Sequence, residues 1–156
     1  MKKMIFAALI TMGSFTFADD TGVITLSGSI GVINEIVITQ NEIATNLNIA
    51  EGEDAALVAT VEESSNSPTG YTIYMNSVNN SNLINTENDA ESVSYTIAYD
   101  GAAPIALSTS DLAVKTVGAL GGLVTDESEV VLALLGDSTV GSGNYTDTIT
   151  VSIAAN

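Results

Sequence analysis

Thr21-Gly22-Val23-Ile24-Thr25-Leu26-Ser27-Gly28-Ser29-Ile30-Gly31-Val32-Ile33-Asn34-Glu35-Ile36-Val37-Ile38 is the stretch on which the fold reading turns. Ile24, Leu26, Gly28, Ile30 and Val32, then Ile36 and Ile38, occupy one parity. Thr25, Ser27, Ser29 and Glu35 occupy the other. Side chains of an extended chain alternate between faces, so this parity predicts a ribbon with one apolar face, interrupted near Asn34-Glu35. The run is longer than an ordinary strand, so it is expected to bend or to serve two partners.

The same period-2 pattern recurs downstream. Leu47 and Ile49 predict a short strand. Leu57, Ala59 and Val61 predict another, as do Tyr71, Ile73 and Met75 after the turn Asn66-Ser67-Pro68-Thr69-Gly70. Val93, Tyr95, Ile97 and Tyr99 run into Asp100-Gly101, a strong turn pair, with Ile105 and Leu107 expected as a hairpin partner. Val130, Leu132 and Leu134 follow, and Tyr145, Ile149, Val151 and Ile153 close the series. Ala113–Leu123 reads as loop and strand, because Gly118, Gly121 and Gly122 work against a helix. Many short strands separated by turn residues predict an all-β sandwich or barrel in a single domain.

Ahead of the ribbon, Lys2 and Lys3 precede the apolar run Met4–Met12, and Thr16-Phe17-Ala18 offers small residues at a cleavage point. Residues 1–18 are therefore expected to be a signal peptide, too short in its apolar part to span a bilayer. The expected organisation is signal peptide 1–18, N-terminal strand segment 19–34 and sandwich domain 35–156. The chain has three basic residues against 19 acidic ones; after cleavage only Lys115 remains as a base. Phosphate recognition needs Lys or Arg, so nucleic acid and anionic lipid surfaces are excluded as partners. No disulfide is available to a chain without Cys, and stability must come from burial and sheet hydrogen bonds.

Catalysis finds little material here. There is no His and no Cys, so a Ser-His-Asp triad or a Cys nucleophile is ruled out. Carboxylates cluster in turns (Glu51, Glu53, Asp54; Glu87, Asp89, Glu91; Asp126, Glu127, Glu129), where a solvated loop is the expected role rather than a glycosidase pair. The reading is that the chain is not an enzyme and has no catalytic, cofactor or metal residues. Calcium at Glu51-Gly52-Glu53-Asp54 or at Asp126-Glu127-Ser128-Glu129 is the alternative, since calcium takes carboxylate oxygens. Lys115 is expected to be a solvated side chain; a Lys–Asn isopeptide bond has no identifiable partner.

Leu26-Ser27-Gly28-Ser29-Ile30, Ser67-Pro68-Thr69-Gly70-Tyr71-Thr72-Ile73, and Gly143-Asn144-Tyr145-Thr146-Asp147-Thr148-Ile149-Thr150-Val151-Ser152-Ile153 together carry a resemblance. The chain resembles subunits of chaperone–usher pili, the archaic type in particular, and the related spore coat protein U-like domains. That resemblance implies an all-β, immunoglobulin-like antiparallel β-sandwich lacking its last strand, whose groove is filled by an N-terminal segment of the next subunit. It implies Ile24, Leu26, Ile30 and Val32 as strand-donation plugs, with Gly28 at a shallow position. Tyr145, Ile149, Val151 and Ile153 are implied along one edge of the acceptor groove. It further implies a homo-polymer or other pilin-like subunits as partners, with a periplasmic chaperone and an outer-membrane usher. The location implied is the cell surface, fimbrium or periplasm of a Gram-negative bacterium. The alternative is that residues 22–38 form the first strand of a closed sandwich, which is then a secreted or periplasmic binding module for carbohydrate, calcium or protein.

Overall fold

A computed structural model describes residues 22–156; the expected signal peptide lies outside the described residues. The chain falls into two units, Met1–Ile30 and Gly31–Asn156. In the first, residues 22–30 carry no regular secondary structure, and Val23, Ile24, Leu26 and Ile30 are almost wholly exposed. The alternating pattern that begins at Ile24 enters a strand ladder only from Asn34.

The second unit is built from nine strands: β1 (Asn34–Gln40), β2 (Gly52–Ser65), β3 (Tyr71–Ser77), β4 (Asn82–Asn85), β5 (Ser92–Tyr99), β6 (Leu112–Val117), β7 (Val124–Leu135), β8 (Tyr145–Thr146) and β9 (Ile149–Ala155). A six-stranded antiparallel sheet has the order β1-β2-β7-β5-β4-β8, and a three-stranded one has the order β6-β3-β9. The order β1-β2-β7-β5 is that of the A-B-E-D sheet of an immunoglobulin domain, and β3-β9 is that of its C-F pair. The expected all-β sandwich is the fold observed. Among the described residues, no strand lies on the far side of β9, where the G strand of such a domain sits.

The core forms where the two sheets meet. Tyr71, Ile73 and Met75 of β3 are all but inaccessible, as their shared parity requires, and they face Val61 of β2, Tyr95, Ile97 and Tyr99 of β5 and Val130, Leu132 and Leu134 of β7. Each such side chain contributes on the order of 1.5–3 kcal/mol through burial. In β2 the inward parity changes along the strand: Val58 is buried at one end and Val61, Glu63 and Ser65 at the other. The change of phase coincides with a register irregularity between Leu57 and Ala59 against β7, as a bulge produces.

Turn chemistry fixes the hinges between strands. Asp100 and Gly101 both have positive φ (49° and 72°), and the Ala102 N–H bonds the Tyr99 carbonyl at 2.9 Å, closing the expected turn. Gly70, with φ 90°, lies so close to Val117 that an added Cβ would sit 2.1 Å from its carbonyl oxygen. Only Gly fits there.

Three local expectations differ from the structure. Leu47 and Ile49 are not in a strand; a 3-10 turn over Glu42–Thr45 and a second turn occupy this stretch. Here asparagine side chains take the backbone partners a ladder would use: Asn46 Nδ2 donates to the Glu42 carbonyl at 3.0 Å, and Asn48 Oδ1 accepts from the Glu51 N–H at 3.1 Å. Ile105 meets Ile97 in a single bridge rather than a hairpin. Pro104 beside it has no N–H with which to extend the pairing. Lys115, expected in solvent, is only 13% exposed and lies among carboxylates.

Candidate functional site

The sandwich is open along one seam. Among the described residues, β9 pairs with β3 from Ile149 to Ala155 and has no strand on its other side, and β1 pairs only with β2. Two edges with unpaired N–H and C=O groups therefore flank the gap between the sheets. At one end they approach: the Asn34 amide, oriented so that its nitrogen donates to Ser65 Oγ at 2.7 Å, accepts from the Ala155 N–H at 3.3 Å. Towards the other end they diverge around a cavity of about 390 Å³.

That cavity is a slot into the core. Ile38 and Gln40 of β1 form one lip, and Ile149 and Val151 of β9 form the other. Met75, Leu83, Tyr95, Val130 and Leu132 form its floor. The floor residues are buried, whereas Ile149, Val151 and Ile153 on β9 are only half-buried although they carry the inward parity. Ile153 stands directly across from the fully buried Ile73. The two isoleucines share chemistry and register and differ in whether a neighbouring strand covers them.

Asp147 holds the wider end of the slot in shape. Its Oδ2 accepts from Ser77 Oγ and from the Tyr95 hydroxyl, each at 2.6 Å. Its Oδ1 accepts from the backbone N–H groups of Asn79 (3.1 Å) and Thr148 (2.7 Å). One carboxylate thus ties the β3–β4 turn, a floor tyrosine and the start of β9 together. Burial, and then the bond to Asp147, push the Tyr95 hydroxyl well above its ordinary pKa, so it remains a donor.

The sequence-derived groove residues separate in the structure. Ile149 and Val151 of β9 line the slot and Ile153 follows on the same face of that strand, while Tyr145 belongs to β8, which pairs with β4 in the larger sheet. Its hydroxyl lies 3.0 Å from Glu91 Oε2 and 2.8 Å from the Gly141 carbonyl, two acceptors that share its one proton. Ile24, Leu26, Gly28 and Ile30 lie in the unit ahead of the sandwich, and Val32 lies just before β1. Sequence reading did not mark Ile38, Met75, Leu83 or Tyr95 as slot residues. Alternation identifies an inward face, but not where that face lacks a cover.

On the opposite edge of the three-stranded sheet, Lys115 of β6 reaches across to the larger sheet. Its Nζ lies 2.7 Å from Asp126 Oδ2, 2.8 Å from Ser128 Oγ, 3.1 Å from Asp100 Oδ2 and 3.2 Å from Glu63 Oε2. Glu63 is wholly buried and also accepts from the hydroxyls of Tyr71 (2.8 Å), Tyr99 and Ser128 (2.8 Å). Burial draws the Lys115 pKa down, yet the hydrogen bonds to Asp126 and Asp100 and the charge of Glu63 outweigh it and hold it above its ordinary 10.5. Tyr71 is pushed up to about 12 by burial and by its bond to Glu63. The charged groups with the most partners thus make a structural tie.

The acidic turns are likewise engaged in local structure. Glu53 Oε1 accepts from the Asn48 N–H at 2.8 Å, Glu51 Oε2 accepts from Asn48 Nδ2 at 3.0 Å, and Asp126 faces Lys115. Among the described residues, no group of three or more Asp or Glu is placed to hold a metal ion. Among the same residues, no helix is long and apolar enough to cross a membrane.

No family model matches the chain, and no curated protein matches it. Among solved structures it is similar to the CooA pilin subunit from enterotoxigenic Escherichia coli, at 13% identity and a TM-score of 0.44, over 78% of this chain and 89% of that one.

Proposed function

We propose that this chain is an exported structural subunit of a fimbria-like surface polymer that assembles by β-strand donation. One observation carries the reading: an apolar slot open to the core lies between β1 and β9, in a chain whose residues 22–32 form an alternating, exposed apolar segment outside any strand. A strand added there satisfies the two bare edges with backbone hydrogen bonds, and its alternate side chains enter the core.

In this reading Ile24, Leu26, Ile30 and Val32 are the plugs, and Gly28 passes where the slot is shallow. Ile149, Val151 and Ile153 form the accepting edge, and Tyr145 braces the chain before it. The donor is a second copy or another pilin-like subunit. A subunit whose slot is unfilled before assembly exposes core surface, which is the chemistry a periplasmic chaperone covers and an outer-membrane usher exchanges. The role is structural rather than catalytic, at the cell surface or in the periplasm of a Gram-negative bacterium.

Electrophoresis of the unheated purified protein tests it. Ladders that collapse on boiling support donation; a single monomer band at high concentration supports the closed binding module instead. Gly28→Leu is expected to leave the monomer folded and to abolish the ladder. An unchanged ladder from that variant removes Gly28 from the shallow position.

A further inference from the structure

Strand donation leaves a choice open: the segment before β1 can enter the slot of its own subunit or that of a second copy. Asn66, just after β2, bears on that choice. Its backbone N–H donates to the Ile33 carbonyl at 3.2 Å. Its side-chain Oδ1 accepts from the Ile33 N–H at 2.6 Å, and its Nδ2 donates to the Gly31 carbonyl at 3.0 Å. A carboxamide carries donor and acceptor side by side, as a peptide group does. The side chain therefore continues the β1–β2 ladder beyond its last pair, Asn34↔Ser65, and pins residues 31–33 in line with β1.

Two intrachain routes into the slot exist, and both meet an obstacle. β1 and β9 run in opposite directions past the slot, since Asn34 lies by Ala155 while Ile38 and Gln40 lie opposite Ile149 and Val151. A segment lying parallel to β1 must return the whole length of the strand before entering it, and parallel neighbours need a connection of roughly a dozen residues. Only Ile33 separates Val32 from Asn34. A segment lying antiparallel to β1 makes a hairpin, which needs a reversal of at least about two residues. That reversal falls on Gly31–Ile33, the residues held by Asn66. A turn placed earlier, at Gly28, leaves only Ile24 and Leu26 of the four plugs to enter.

We propose that the Asn66 carboxamide is a partner-selecting clamp: by fixing residues 31–33 it keeps the preceding segment out of its own slot and commits it to a second copy of the chain. This rests on the strand-donation reading. Donation to a neighbour keeps all three Asn66 bonds, whereas folding back breaks them.

The test uses the full exported chain, its Asn66→Ala variant, and a variant with Gly-Ser-Gly-Ser inserted between Ile33 and Asn34. Size-exclusion chromatography gives the monomer fraction, and hydrogen exchange reads residues 22–32 within that monomer. Asn66→Ala is expected to raise the monomer fraction relative to polymer roughly tenfold, the weight of one or two hydrogen bonds. Residues 22–32 become protected in those monomers. The insertion supplies a turn without touching Asn66 and is expected to move the balance the same way. A general loss of stability does not produce protection of residues 22–32, so that readout separates a clamp from a merely structural side chain. If both variants polymerise as the parent does and their monomers leave residues 22–32 unprotected, the clamp is overturned while donation stands. A parent chain that never polymerises overturns donation and the clamp with it.

Discussion

The two edges of the three-stranded sheet solve the same problem in opposite ways. At the β6 edge, Lys115 spans to Glu63, Asp126 and Asp100 and closes the sandwich with charge. At the β9 edge the sheets stay apart over an apolar floor, and Ile149, Val151 and Ile153 are left half-covered. A salt-bridged seam is complete within one chain, whereas an apolar seam with two bare strand edges leaves room for a further strand. The contrast teaches where to look for association: at the place where residues with core parity lack a neighbour, not at the most charged surface.

Breaking the closed edge should have the largest effect. Lys115→Met leaves the Glu63 carboxylate buried without its cation, and removing one partner of such a pair costs about 3–5 kcal/mol. Urea unfolding of the monomer should show it, and adding Glu63→Gln to the same chain should recover more than half. A loss below about 1 kcal/mol would mean that the tie is dispensable.

Ile73 and Ile153 sharpen the comparison, because they are cross-strand partners on one sheet. Ile73→Ala should cost about 2–5 kcal/mol, as expected for a buried isoleucine. Ile153→Ala should cost the monomer no more than half as much, yet lower the unfolding midpoint of assembled protein by a larger step. Equal losses in monomer and polymer would place Ile153 in a finished core.

The smallest effect is on pH dependence. The bond to Lys115 holds the Asp126 carboxyl below its ordinary 3.8, so its contribution is complete above that value and fades as pH falls through the lowered pKa. Asp126 is half-exposed, which limits that contribution to about 1 kcal/mol or less. Lys115 is raised above 10.5, so its contribution is complete below that pH and fades as pH climbs through the raised value. Unfolding midpoints should therefore be level between these limits and fall outside them, and Lys115→Met should flatten the acid limb. The β9 edge has no such charge pair, so loss of polymer should not follow the same acid limb.

How much was legible in the sequence depends on distance along the chain. Val93, Tyr95, Ile97 and Tyr99 announce their inward face by simple alternation, and the Asp100-Gly101 turn follows from the φ values those residues accept. The first half of β7 was hidden, since Ser128, buried there, serves Lys115 instead of continuing the apolar pattern. Glu63 shares the inward parity of Val61, but a lone carboxylate in a core position reads as an error until Lys115, far along the chain, is brought beside it. The resemblance pointed to β9 as a groove edge, and Ile149 and Val151 of that strand line the slot. The floor of the slot was not legible, because Met75, Leu83 and Tyr95 come from three strands that only the topology gathers.

Hydrogen exchange on assembled and monomeric protein, resolved by segment, tests strand donation most directly. The account predicts that residues 22–32 exchange freely in the monomer and slowly in the assembly, with β9 residues 149–155 gaining protection in step. Assembled material in which residues 22–32 still exchange freely, or in which β9 is unchanged, would contradict it.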